Sequence, residues 1–152
     1  MQTANCPLLL ITSIRLEPLP SEVKMIKTTS EKLSYQTSFS NGHAVSLSDT
    51  TDDKGGSSAG FSPHELLEAA LASCMNMSIR MFAKRYSIPL TSVSTTVTIN
   101  MSNPDETIFC YTLDLIGSLS ENERQHLTKA AQYCPVRQTL FKTLSFSDQS
   151  GG

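Results

Sequence analysis

The sequence predicts an α+β domain in which a mainly antiparallel sheet is arranged around a long central helix. Three observations carry this. Residues 62–86 read as a single long helix with a full set of start signals. Short segments on either side alternate apolar with polar residues or meet at turn pairs such as Asn41-Gly42. The elements follow in the order strands, long helix, strands, two helices, strand, which is not the repeated βαβ alternation of a parallel sheet.

Taken in order, residues 1–21 are punctuated by Pro7, Pro18 and Pro20 and read as an extension or arm, in which Leu8–Ile14 offers an edge strand or a contact with a partner. The folded domain is expected over residues 22–148. It opens with three short strands, Val23–Lys27, Ser34–Phe39 and Ala44–Ser48, and Asn41-Gly42 predicts a type I′ hairpin between the last two. Thr50–Phe61 is polar and glycine-rich, a flexible loop feeding the long helix. In that helix Ser62 is the N-cap, Pro63 suits the first position, and Glu65 completes a capping box. Ala69 to Met75 is small or apolar almost all round, so the helix is expected to be covered on several sides, with Cys74 in its buried part. Arg80, Lys84 and Arg85 suit the negative end of the helix dipole.

Pro89 stops the helix. Val93, Val97, Ile99 and Met101 then alternate with polar residues as a half-buried strand, and Ser102–Asp105 turns the chain. Phe109, Tyr111, Leu113 and Leu115 form the next apolar face, which puts Cys110 on the wetter side. Ser120 with Glu123 caps a helix running to about Tyr133, and Cys134 caps a short helix that begins at Pro135. Leu144 and Phe146 predict a final strand. The chain is expected to fray from Ser147, leaving 149–152 as a disordered tail.

Composition narrows the function. A chain of 152 residues with a formal net charge of −2 carries no basic field for nucleic acid or for an anionic membrane. No apolar run is long enough to span a bilayer, and Leu8–Ile11 lacks the cationic flank of a signal peptide. Four irregularly spaced cysteines, with no Cys-x-x-Cys pair, argue against a disulfide framework and for a cytoplasmic protein with free thiols.

The chemistry-bearing residues are therefore cysteines. Cys134, at a helix N-terminus, faces unpaired N–H groups that favour a thiolate, and reads equally as an inert cap. Cys74 alone reads as a small buried hydrophobe. Together they sit on two elements that must pack on the same core, where a peroxidatic and a resolving thiol would meet. Cys6 and Cys110 lack such settings and read as structural. His43, after the Asn41-Gly42 turn, and His64, in the first turn of the long helix, are the ionisable groups placed to adjust a thiol, or are plain exposed polar residues. Zinc ligation by Cys74, Cys134 and a histidine has no spacing signature. Gly55-Gly56 lacks the ending of a phosphate loop, and no nucleophile elbow occurs.

Two stretches, Ser-Pro-His-Glu-Leu-Leu-Glu-Ala-Ala-Leu-Ala-Ser-Cys (62–74) and Tyr-Cys-Pro-Val-Arg-Gln-Thr-Leu (133–140), resemble the two cysteine motifs of the OsmC/Ohr family of osmotically inducible and organic-hydroperoxide-resistance proteins. Gly42-His43 and Gly117–Arg124 extend the resemblance. It implies an OsmC-like two-layer α+β fold and an intertwined homodimer with its sites at the subunit interface. It also implies a cytoplasmic thiol peroxidase, acting in oxidative stress defence without metal or bound cofactor. Cys74 would be oxidised by an organic hydroperoxide to a sulfenic acid, Cys134 would resolve it as a disulfide, and an external thiol or dithiol would reduce that. The chain departs from the Ohr branch in three places. His64 stands where peroxidase members carry Glu, Arg137 stands where the second motif commonly has His, and no Arg occurs between Arg15 and Arg80 to hold the thiolate. That last role passes to Lys54, His43 or Arg137, or is vacant. The alternative is an OsmC-fold protein that binds a small ligand or senses redox state with little peroxidase activity.

Overall fold

The computed structural model of the chain describes residues 25–150. The segment expected as an arm, residues 1–21 with Cys6 and Leu8–Ile14, lies outside the described residues.

Three short strands, β1 (Lys27–Ser30), β2 (Thr37–Ser40) and β3 (Val45–Ser48), form an antiparallel sheet in sequence order. Pairing, not side-chain pattern, sets their limits. Lys27 pairs with Ser40 and Ser30 with Thr37, so β1 starts where the expected Val23–Lys27 strand was to end. Ser34 and Tyr35, expected in the second strand, belong instead to the β1–β2 turn, where Tyr35 takes a positive φ of 71° and Gln36 N–H donates to Leu33 O. The expected type I′ turn at Asn41-Gly42 is also absent. Among these two only Gly42 has positive φ, and the Asn41 carboxamide oxygen accepts the N–H groups of His43 and Ala44 (both 2.9 Å), giving a four-residue loop between Ser40 and Val45. An asparagine that bonds forward to the backbone stabilises this alternative turn.

Residues 50–61 are ordered by a single buried side chain, where the sequence reads as a flexible loop. Asp49 is 2 % exposed. Its carboxylate accepts Thr50 N–H (2.8 Å), Ser57 N–H (3.0 Å), Ser57 Oγ–H (2.7 Å), Ala59 N–H (3.2 Å) and Gln36 Nε2–H (3.3 Å). A short 3₁₀ turn at Asp52–Lys54 closes on Gly55. Phe61 then returns beside Ser48, and Gly60 permits this because a Cβ there would collide with the Leu47 carbonyl.

Helix α1 (Pro63–Arg85) has the N-cap and capping box its sequence predicts. It lies against β4 (Leu90–Asn103) and β5 (Glu106–Gly117), a second antiparallel sheet, and against α2 (Glu121–Gln132) and α3 (Pro135–Leu140). The apolar alternation of both strands faces α1, and Cys110 is exposed on the outer side. Val93 and Leu115 are register partners. Asn76 donates to the Val93 carbonyl (2.8 Å), Arg124 donates to the Leu115 carbonyl (2.9 Å), and Glu68 accepts Ile99 N–H (2.8 Å). Helix side chains thus occupy groups on the free edges of the strands, which locks helix to sheet through buried polar contacts. The core runs through Leu71, Met75, Ile79, Leu127, Ala131 and Cys134.

No strand forms at Leu144 and Phe146, which are 55 % and 96 % exposed. A strand exists only through a partner edge, and α1 and Arg124 already take groups on both free edges of the β4–β5 hairpin. The expected cover around α1 is likewise incomplete: Leu67, Met77 and Met81 are exposed, and β1 is exposed along its length.

Candidate active site

The break between α2 and α3 delivers Cys134 to α1. The C-cap of α2 is Tyr133, and Pro135 restarts the chain as the first residue of α3, leaving Cys134 between them in extended conformation (φ −62°, ψ 135°). Its Sγ accepts Arg137 N–H at 3.3 Å, the cap the sequence predicts. Val136 N–H donates to Cys74 Sγ at 3.5 Å. Successive amides of the same turn therefore address the two sulfurs. The thiols are themselves neighbours, bonded to adjacent amides of one turn and close enough that Cys74 raises the Cys134 thiol's pKa.

Their surroundings differ. Cys74 is half-buried on the flank of α1, whereas Cys134 is 0 % exposed and part of the core. Burial pushes the Cys134 thiol up from the ordinary 9.0 to about 11, and contact with Cys74 adds to this. The amides of Arg137 and Val136 oppose the shift but do not reverse it. Of the two sequence readings of Cys134, thiolate or unreactive cap, burial favours the protonated thiol: desolvation outweighs the cap.

None of the four residues expected to tune the thiols has its side chain hydrogen-bonded to either sulfur within the described residues. His43 is exposed in the β2–β3 loop, and Lys54 is exposed in the 3₁₀ turn. His64 is exposed in the first turn of α1, ten residues before Cys74 and so about 15 Å away along the axis. The Arg137 guanidinium donates to Gln132 O (3.1 Å) and lies over the Phe141 ring (5.9 Å). Only the main chain of Arg137 reaches a thiol. Backbone donors such as Val136 N–H carry no signature in a sequence, and Asp49, Glu68 and Asn76 read there as ordinary polar residues.

A groove of about 250 Å³ is lined by Leu71, Met75, Glu106, Phe109, Tyr111 and Arg137, and neither cysteine is among its lining residues. It places an apolar surface next to α1 at the turn that bears Cys74, with one cation, Arg137, and one carboxylate, Glu106, in its lining. A larger cleft of about 820 Å³ lies along the C-terminal half of α1, between Met77, Met81 and Leu90, and neither cysteine lines it. The smaller groove comes nearer to the pair, because its lining residue Met75 follows Cys74 in α1 and Arg137, also in its lining, donates its N–H to Cys134 Sγ.

Comparison with known proteins places the fold. An OsmC-like protein from Mycoplasma pneumoniae superposes with a TM-score of 0.67 at 17% identity, covering 79% of this chain and 88% of that one. The organic hydroperoxide resistance protein OsmC from Legionella pneumophila gives 0.56 at 21% identity, covering 77% and 88%. The organic hydroperoxide resistance protein OhrB of Bacillus subtilis gives 0.54 at 18% identity, covering 77% and 89%. Among curated proteins no sequence matches. The family model described as OsmC-like protein matches residues 54–147, which include α1 and both cysteine motifs. The chain belongs to the OsmC-like protein family.

Proposed function

We propose that this chain is a thiol-dependent peroxidase that reduces organic hydroperoxides in defence against oxidative stress. The observation that carries the proposal is the meeting of Cys74 and Cys134, one sulfur half-exposed and the other wholly enclosed, each addressed by an amide of the same turn. The Cys74 thiolate attacks the distal oxygen of the hydroperoxide. The O–O bond breaks, the alkoxide leaves and is protonated to the alcohol, and Cys74 becomes a sulfenic acid. Cys134 displaces hydroxide from that sulfur, which leaves as water, and a Cys74–Cys134 disulfide forms. An external thiol or dithiol returns both to the reduced state. Val136 N–H stabilises charge on Cys74 where other members use an arginine side chain. The apolar groove favours an alkyl substituent on the peroxide.

The working unit in this reading is a homodimer with its sites at the interface. Support comes from the exposed Leu67, Met77 and Met81 of α1 and from the sparse contact of the β1–β3 sheet with the rest of its own chain. Sedimentation should give twice the monomer mass, and Met81→Asp should shift it toward the monomer.

Stopped-flow oxidation of the reduced protein by cumene hydroperoxide, beside hydrogen peroxide, tests the chemistry. Fast stoichiometric loss of thiol that requires Cys74 and ends in a Cys74–Cys134 disulfide is expected. Rates no better than a free cysteine, unchanged in Cys74→Ser, would overturn the reading in favour of ligand binding or sensing.

A further inference from the structure

A disulfide is opened by a thiolate that approaches along the extension of the S–S bond, behind the sulfur it attacks, so access behind each sulfur decides the direction. Behind Cys134 there is no approach. The residue is 0 % exposed and belongs to the same packed cluster as Leu71, Met75, Leu127 and Ala131. Its position is held from both sides, because it links the end of α2 to the first turn of α3. Cys74 is half-buried on the flank of α1 next to the exposed Ser73. Within this chain Cys134 is already fully covered, so a second subunit can only add cover to it. Cys74 must keep an open approach for the peroxide in any assembly that turns over.

We propose that the external reductant attacks the Cys74 sulfur of the Cys74–Cys134 disulfide and never the Cys134 sulfur, so that every mixed disulfide of the reductive half-reaction forms on Cys74. The inference rests on the peroxidase reading for its place in a cycle. The reductant thiolate bonds to Cys74 Sγ, the S–S bond breaks, and the electron pair leaves on Cys134 Sγ, which accepts Arg137 N–H in the reduced state. Burial pushes the Cys134 thiol up to about 11, so the released sulfur takes a proton from water and re-attacks the adduct only slowly. The mixed disulfide then persists until a second thiol attacks the reductant's own sulfur. That step frees Cys74 as a thiolate and leaves the reductant as its disulfide. A dithiol completes it intramolecularly, because an adduct on Cys74 projects from the flank of the helix.

The test uses the full chain with Cys6→Ser and Cys110→Ser, which leaves Cys74 and Cys134. The protein is oxidised with cumene hydroperoxide or, separately, with diamide. It is then exposed briefly to glutathione, quenched in acid, alkylated and mapped by peptide mass spectrometry. The expected result is a glutathione adduct on Cys74 in about ten-fold or greater excess over Cys134 at the earliest times. An adduct divided equally, or mainly on Cys134, overturns the inference. A disulfide formed by diamide but not by cumene hydroperoxide removes the peroxidase reading and leaves the adduct position to decide this one. Failure of diamide to join the two cysteines overturns the inference outright.

Discussion

The competition between burial and helix capping at Cys134 gives a sharp prediction. The cap alone would draw the thiol below its ordinary value, and burial pushes it to about 11. At pH 7 a group titrating near 11 is ionised in about one molecule in ten thousand, whereas a thiol at the ordinary 9.0 is ionised in about one in a hundred. The perturbation is a variant with Cys6, Cys74 and Cys110 replaced by Ser, titrated by thiolate absorbance at 240 nm. Subtracting the titration of its Cys134→Ser counterpart removes the tyrosinate signal. Removal of Cys74 takes away the smaller raising contributions and leaves desolvation, the largest, opposed by the amides of Arg137 and Val136. The midpoint should therefore fall toward the ordinary 9.0 but stay above it. A midpoint below 9.0 would refute the reasoning and restore the cap as the dominant influence. In the intact pair, disulfide formation after Cys74 oxidation should quicken about tenfold per pH unit from 7 to 10, since the thiolate is the nucleophile. The sign for stability follows from the same shift. The thiol holds its proton more tightly when folded, so its contribution is full below the unfolded value and is lost as pH rises from about 9 toward 11.

Other consequences can be checked by equilibrium unfolding. Asp49→Ala should lower the urea midpoint and release the 50–61 loop to protease. Asp49→Asn should recover much of the loss, because Oδ2 alone accepts from Gln36, Ser57 and Ala59 and a carboxamide oxygen can take its place, leaving the new NH2 group opposite Thr50 N–H only. An Asn variant as unstable as the Ala variant would contradict the clasp. These bonds hold the Asp49 carboxyl below the usual aspartate value of 3.8, so its contribution is present above that pH and is lost as pH falls beneath it. Leu127→Ala, at a position with 0 % exposure, should cost about 2–5 kcal/mol, and a change under about 1 kcal/mol would mean that α2 is not part of the core. Ser120→Ala removes the side chain that accepts Glu123 N–H and should cost about 1 kcal/mol by the same measurement, with Ser120→Thr recovering most of it.

How far these features could be read from sequence depended on their range. The capping boxes at Ser62 and Ser120 and the cap at Cys134 before Pro135 are satisfied by neighbours within a few residues, and each appears where the sequence places it. The alternation along Leu90–Gly117 is completed by the adjoining strand of the same hairpin and holds except at Met101, which lies at a register shift and is exposed. The short strands before α1 were shifted and the strand at Leu144–Phe146 does not form, because a strand is completed by a distant edge that its own residues do not describe. Asp49 shows the same limit. Its letter is that of a surface residue, and its burial depends on Gln36, Ser57 and Ala59 converging on it.

At the site, the sequence by itself determined the family motifs, the two cysteines and the elements that carry them. Tertiary structure alone decided which sulfur is reachable, that desolvation overcomes the cap at Cys134, and that the nearby donors are main-chain amides while His43, His64 and Lys54 stand apart from both thiols. The reason is physical. A motif specifies side chains and local backbone, whereas burial, and with it thiol acidity and access, is a property of everything packed around them.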